Sequence, residues 1–156
     1  RISNYQLMED MINYCRELTV EEILDIPDVQ ERIKRYFDQQ DLFIEMIKKN
    51  SRLEQNIIVT DLKNEETIFS GNRFIVYALF PDQNVDIRIM WGRDQQNVVF
   101  ACGHSILNRT CKTNIGNLML QHGGGGHQMV GTCQVASEIW EDSLASVVNT
   151  IQGNES

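Results

Sequence analysis

Four consecutive glycines run straight into a histidine at Gly123-Gly124-Gly125-Gly126-His127. Glycine has no side chain to bury and loses more backbone entropy on ordering than other residues, so such a run needs a reason. A flexible linker is one reason, but linkers of this composition are longer and sit among polar residues. Here the run lies between an apolar segment, Ile115 to Leu120, and a strand-like one, Thr132 to Val135. Between two ordered elements, the N–H groups of a glycine loop can form a nest for phosphate or another oxyanion. His127 adds a titratable donor at its end. The alternative is a tight structural turn.

Charge points the same way. The chain is acidic, with Asp+Glu 22 against Lys+Arg 14, yet Gln95 to Ser137 contains no Asp or Glu. Arg109, Lys112 and all three histidines (His104, His122, His127) fall inside that window. A polyanion site needs such a window, because carboxylates there would repel the ligand. Chance together with a buried strand is the plainer explanation.

Within the window, Gly103-His104-Ser105 and Asn108-Arg109-Thr110 follow an apolar run at Val98 to Cys102. Polar residues just past a strand end are where α/β sheets place ligand groups. Arg109 is the best candidate for a phosphate contact, because its fork matches two oxygens at once. As a surface ion-pair partner it would lack an acid nearby in sequence. His104 stands between a ligand role and a loop hydrogen bond, and His122 fits a helix-end capping role. The three histidines equal the ligand number of a catalytic zinc, but their spacing matches no metal motif and no carboxylate of the window can assist. A Cys–His nucleophile from Cys102 or Cys133 with His127 is possible by residue type, but both cysteines read as buried strand residues.

The elements that must position these groups follow from periodicity. Leu7, Met8, Met11, Ile12 and Cys15 mark an amphipathic helix over residues 4 to 17. Thr19 to Glu22 forms a capping box for a short second helix that ends near Pro27. Pro27-Asp28 opens a third, with Val29, Ile33, Tyr36, Phe37, Leu42, Phe43, Met46 and Ile47 along it, ending near Asn50 or Ser51. Asp28–Arg32, Glu31–Arg35 and Glu45–Lys49 are solvated pairs on its surface. Strands are expected at Ile57 to Leu62, Val85 to Met90, Val98 to Cys102 and Thr132 to Val135, with a turn at Arg93 to Asn97. Thr67 to Phe69 reads as a short hairpin extension, and Phe74 to Phe80 as strand or helix. Helices are expected over Asn114 to Gln121 and from Ser137 onward. The fold class is therefore α/β, a mixed β-sheet flanked by helices and preceded by an N-terminal helical linker segment. Its parts are a helical segment 1–54, a substrate-binding domain 55–152 and a tail 153–156.

The 156 residues suit one domain with a core, hydrophobic 42% and charged 23%. No apolar run approaches a membrane span and no signal-peptide pattern opens the chain. Four scattered cysteines with no C-x-x-C pair fit a reducing cytoplasm. A start at Arg1 leads to the expectation of a fragment of a larger protein. The net charge of -8 disfavours non-specific coating of nucleic acid.

Gly123-Gly-Gly-Gly-His127-Gln-Met-Val-Gly131 resembles the G-G-G-G-H-x-x-A-A-G signature of the DHH-associated C-terminal domain of the DHH phosphoesterase superfamily. The look-alikes are exopolyphosphatase-related and oligoribonuclease (nanoRNase) type proteins. His104-Ser105-Ile-Leu-Asn108-Arg109-Thr110 is similar to that domain's strand-end S-x-R-S region. The resemblance spans residues 56 to 152. It implies that Gly123, Gly124, Gly125, Gly126 and His127 contact phosphate, with Arg109 as a second contact beside Ser105 and His104. It also implies a DHH domain with two Mn²⁺ ions that generate the attacking hydroxide, a domain whose Asp-His-His motif this sequence does not contain.

The expected function is recognition of a phosphate-bearing substrate (short RNA, a nucleotide such as 3′-phosphoadenosine 5′-phosphate, or polyphosphate) by a fragment that binds without hydrolysing. Its partners would be that substrate and the missing DHH domain, with a homodimer possible. No catalytic residue and no metal ligand is expected in the fragment. A non-catalytic nucleic-acid module is the alternative from another class, and it calls for a basic stripe with exposed aromatics. In a third reading the helix near residues 28 to 50 dimerises and the glycine loop is a turn.

Overall fold

Short polar residues set the helix starts. In the computed structural model, which describes residues 1–155, the Ser3 hydroxyl accepts from Gln6 N and opens α1 (Asn4–Glu17). Thr19 and Glu22 form the expected reciprocal capping box on α2 (Val20–Leu24). Pro27 begins α3 (Pro27–Asn50), its fixed φ suiting a first helical position.

The chain divides into two units. The first comprises Arg1–Phe43 and Phe69–Gly71, the second Ile44–Ile68 and Asn72–Ser156. In the first, Arg32 donates to the carbonyls of Asp28 and Ile2, both at 2.8 Å, and tethers the N-terminal residues to α3. Leu7 and Val29 are buried, whereas Met8, Ile12 and Phe37 of the expected apolar stripes are exposed. The Asp28–Arg32 and Glu31–Arg35 pairs form. In the second unit Lys49 pairs with Glu65 at 2.7 Å rather than with Glu45.

The second unit is built on a six-stranded sheet in the order β1-β2-β3-β4-β6-β5. Its strands are β1 (Ser51–Glu54), β2 (Ile57–Asp61), β3 (Val85–Trp91), β4 (Asn97–His104), β5 (Gly125–His127) and β6 (Val130–Ala136). β2 and β3 run parallel and every other neighbouring pair is antiparallel. The sheet is thus mixed, with helices before and around it, as its periodicity implies.

Several elements depart from the expected pattern or settle it. Ser51–Glu54 is a strand rather than the end of the helical segment, because Gln55 takes a positive φ of 55° and folds it back on β2. Thr67–Phe69 forms no strand. Phe74–Phe80 resolves as a helix, α4 (Ile75–Leu79), in the connection between parallel β2 and β3, where a crossover helix belongs. The last helix, α6 (Trp140–Glu155), runs past the expected tail boundary at 152.

Period-2 alternation assigns the two sheet faces. Val85, Ile87 and Ile89 of β3, Val98, Phe100 and Cys102 of β4, and Cys133 and Val135 of β6 point one way. They seal against α6 and α5 (Ile115–Gln121) through Ile115, Leu118, Met119, Leu144, Val147 and Ile151. Each such buried aliphatic side chain contributes about 1.5–3 kcal/mol of transfer free energy.

Candidate functional site

The other face carries the polar groups. Asp86, Arg88 and Met90 alternate with the core residues of β3, and opposite them on β4 stand Gly103, Ala101 and Val99. α4 lies over this face, and its Tyr77 hydroxyl donates to Asp86 Oδ1. A cavity of about 300 Å³ opens beside that pair, lined by Arg73, Phe74, Tyr77, Asp86, Arg88 and residues of β4 and β6.

Burial dominates the electrostatics here. Asp86 is 8% exposed and Tyr77 5%. Burial pushes the Asp86 carboxyl up to about 6, held back by the Tyr77 hydrogen bond and by Arg88 and Arg73. Burial and the neighbouring Asp86 drive the Tyr77 hydroxyl well above its ordinary range, so it stays a donor. Arg88 Nε is buried without a hydrogen-bond partner. Among the described residues neither Arg88 nor Arg73 lies within ion-pair distance of a carboxylate. The Arg73 guanidinium sits 4.7 Å from the Phe74 ring centroid.

The glycine run borders the same face. Most of it is explained by packing. Gly123, at φ 79°, ends α5: its N–H bonds Leu120 O while Gly124 N bonds Met119 O, a Schellman pair that favours glycine at the left-handed position. Gly124 lies against Thr132 O and Cys133, leaving no room for a Cβ. Gly126 combines φ 155° with contact against Val130 O. Gly125 alone has an ordinary φ and open space where a side chain would stand. The run is therefore a helix-ending turn at Gly123–Gly124 followed by an edge strand, β5, rather than a free loop. Its register sets Gly125 opposite Thr132 and His127 opposite Val130, on the face shared with Asp86 and Arg88. One row across the sheet reads Asp86, Gly103, Val130, His127.

The remaining expected site residues are placed as follows. His104 borders the cavity, and its Nε2 lies 2.7 Å from Thr113 O, so that nitrogen carries the proton and donates. Ser105 is fully buried, and its hydroxyl accepts from Leu107 N and Asn108 N. Arg109 is exposed, with Nε donating to Ile106 O at 3.0 Å. His122 is the C-cap of α5. Cys102 and Cys133 are buried on the core face; burial raises both thiols, Cys133 to about 11, so neither supplies a thiolate to His127. The acid-free window is not acid-free in space: Asp86 faces Gly103, and Glu155 accepts from Lys112 N at 3.0 Å.

A structure described as a pGpG-specific phosphodiesterase, PggH from Vibrio cholerae, is 47% identical over 99% of this chain, with a TM-score of 0.86. An exopolyphosphatase-related protein from Bacteroides fragilis shares the fold at TM-score 0.54 and 12% identity, over 85% of this chain and 42% of its own. A DHH domain from a member of the s1p family of ribosomal proteins does so at 0.54 and 12%, over 83% of this chain and 32% of its own. These likenesses are consistent with a DHH-associated domain. No family model matches the chain, and no curated protein does. The chain spans 52% of the length of PggH, about half of it.

Among the described residues of the domain no group of three or more His, Cys, Asp or Glu side chains could hold a metal ion. No helix among them is long and apolar enough to cross a membrane.

Sequence reasoning passed over Arg73, Tyr77, Asp86 and Arg88. The available signal was β3 itself, where Asp86 and Arg88 occupy alternate positions of a strand as apolar as Val85-Asp-Ile-Arg-Ile. Alternation alone reads them as a wet face. Only α4 folding over them buries Asp86 and leaves Arg88 half-buried beside it.

Proposed function

We propose that this DHH-associated domain recognises a short nucleotide substrate of a phosphodiesterase, holding its phosphate against β5 through His127 and the open side of Gly125. Arg109, Ser105 and His104 have different standings in this reading. Arg109 remains an exposed cation that can reach an anion; Ser105 and His104 shape the β4 end that supports it. The metal-dependent half of the reaction belongs to a DHH domain outside these residues, and the substrate named for PggH, pGpG, is the first ligand to try. The observation that carries the reading is Gly125: alone in the glycine run, it lacks a side chain for no reason of packing or backbone strain. An absent Cβ there leaves room for a ligand to approach the backbone.

Calorimetric titration with pGpG, a mononucleotide and short polyphosphate tests this. Binding of a phosphorylated ligand that weakens about tenfold or more in both His127→Ala and Gly125→Val supports it, the loss expected when a charge-assisted or close backbone contact goes. Unchanged affinity in both variants, with melting temperatures intact, sinks it.

A further inference from the structure

Arg109 owes its place to the residues on either side of it. Its side chain makes one bond, from Nε to Ile106 O within its own loop. Among the described residues no carboxylate lies within ion-pair distance of it. Its neighbours are tied down. Asn108 Nδ2 donates to Asp82 O at 3.0 Å, and Thr110 Oγ1 accepts from Asn84 Nδ2 at 3.0 Å. The loop after β4 is thus pinned one residue before and one residue after the arginine, both times to the segment that leads into β3. Lys112, the other cation between Ser105 and Thr113, turns away to the end of α6, where its Nζ lies 3.3 Å from Glu155 O. Arg109 is left to meet an anion.

Asn84 is the junction of this arrangement. It is 4% exposed, and a buried amide needs hydrogen-bond partners. Its Oδ1 accepts from Asn56 Nδ2 at 2.9 Å, and its Nδ2 donates to Thr110 and, at 3.3 Å, to Glu155 Oε2. A carboxylate only accepts, so Glu155 fixes which end of the amide faces the loop. Thr110 accepts from Asn84 and sends its own hydrogen on to Asn108 Oδ1 at 2.7 Å. The Asn84 carbonyl also accepts from Ser105 N at 2.8 Å, at the start of the same loop. One buried side chain, held by Asn56 ahead of β2 and by Glu155 of α6, therefore reaches both flanks of Arg109. Packing gives no reason for it, because burying an amide costs desolvation that an apolar side chain escapes. The amide's gain is a fixed loop.

We propose that Asn84 is a positioning residue, which acts through the Thr110 hydroxyl to hold the Arg109 guanidinium where a substrate phosphate meets it. This rests on the Arg109 part of the nucleotide-recognition reading above and adds the group that sets the arginine.

Thr110 is exposed, so Thr110→Val removes the hydroxyl without disturbing the core, and Thr110→Ser keeps it. Asn84→Asp preserves the shape and the Asn56 bond but turns both donors into acceptors. Calorimetry compares pGpG affinity in the unsubstituted chain, these three variants, Arg109→Ala, and Arg109→Ala combined with Thr110→Val, with melting temperatures confirming folding. Thr110→Val and Asn84→Asp are expected to weaken binding about threefold or more, the size of a coupling within one network. Thr110→Ser should bind like the unsubstituted chain, and Thr110→Val should add nothing once Arg109 is gone. A Thr110→Val loss that persists in the Arg109→Ala background overturns the proposal, since Thr110 would then act by itself. Unchanged affinity in Thr110→Val and Asn84→Asp, beside a loss in Arg109→Ala, overturns it as well and leaves the nucleotide reading standing. Unchanged affinity in Arg109→Ala removes Arg109 from that reading, and the proposal falls with it. If the unsubstituted chain binds no pGpG, the β5 reading fails, and the positioning is decided by the Arg109 Nε–H resonance. Its loss to solvent exchange in Thr110→Val and Asn84→Asp, with retention in Thr110→Ser, supports the proposal; a resonance unchanged in all three overturns it.

Discussion

The two faces of the sheet are made by the same strands and do opposite work. On one face β3 contributes Val85, Ile87 and Ile89 to a core closed by α5 and α6. On the other, one residue along, it contributes Asp86, Arg88 and Met90 to a cavity half covered by a five-residue helix. The first face satisfies everything it buries. The second leaves Arg88 Nε unpartnered and holds a carboxyl away from water, both unfavourable for the folded chain alone. Such a contrast separates what holds the domain together from what its folded state keeps available for a ligand.

The largest effect should come from the sealed face. Phe100→Ala empties the middle of β4 and is expected to cost about 3–5 kcal/mol in denaturant unfolding, without altering preference between ligands in the folded fraction. A loss below about 1 kcal/mol would mean that this face is not the one carrying stability.

On the open face the sign reverses. The Asp86 carboxyl rises from its ordinary 3.8 to about 6 on folding, so the folded state binds its proton more tightly than the unfolded chain. Its burial costs nothing extra below about pH 4; stability then falls as pH rises to about 6 and stays lower above it. Asp86→Asn keeps an oxygen for Tyr77 and removes the charge. It should stabilise the domain at pH 7 by up to about 3 kcal/mol and flatten this part of the pH profile, as read by melting temperature from pH 3 to 8. An unchanged profile would break the contrast.

The glycine run sharpens it at the next scale. Gly124→Ala drives a methyl group into the β6 backbone and should destabilise by about 1–3 kcal/mol, whereas Gly125→Ala should leave stability within about 0.5 kcal/mol. Equal losses would mean that Gly125 is structural after all. Gly123→Ala should cost about 1 kcal/mol for a Cβ at φ 79°, seen as a lowered unfolding midpoint with ligand affinity unchanged.

Much of this was written locally. Ser3, Thr19, Pro27 and Asn114 mark helix starts because a short side-chain acceptor or a fixed φ acts within one turn. The alternation at Val85 to Met90 marks its strand for the same reason: the pattern lies within the segment it describes. Phe74 to Phe80 was not legible, because a continuous apolar run has no period, and its helical state follows from lying between two parallel strands. Gln55 gave no turn signal to turn Ser51–Glu54 into a strand, since its residue type does not favour the positive φ it adopts.

The sequence by itself determined most of the helices and strands, the apolar face that becomes the core, and a glycine–histidine signature that resembles that of DHH-associated domains. Tertiary structure alone decided why each glycine is there and which polar residues meet. Gly124 and Gly126 are required by a strand and a carbonyl several residues away in the β5–β6 hairpin. Tyr77, Asp86, Arg88 and Val130 share one cavity through a crossover helix and two antiparallel registers. A local pattern records which way a side chain points. What it meets there depends on the path of the chain between elements, which no single segment encodes.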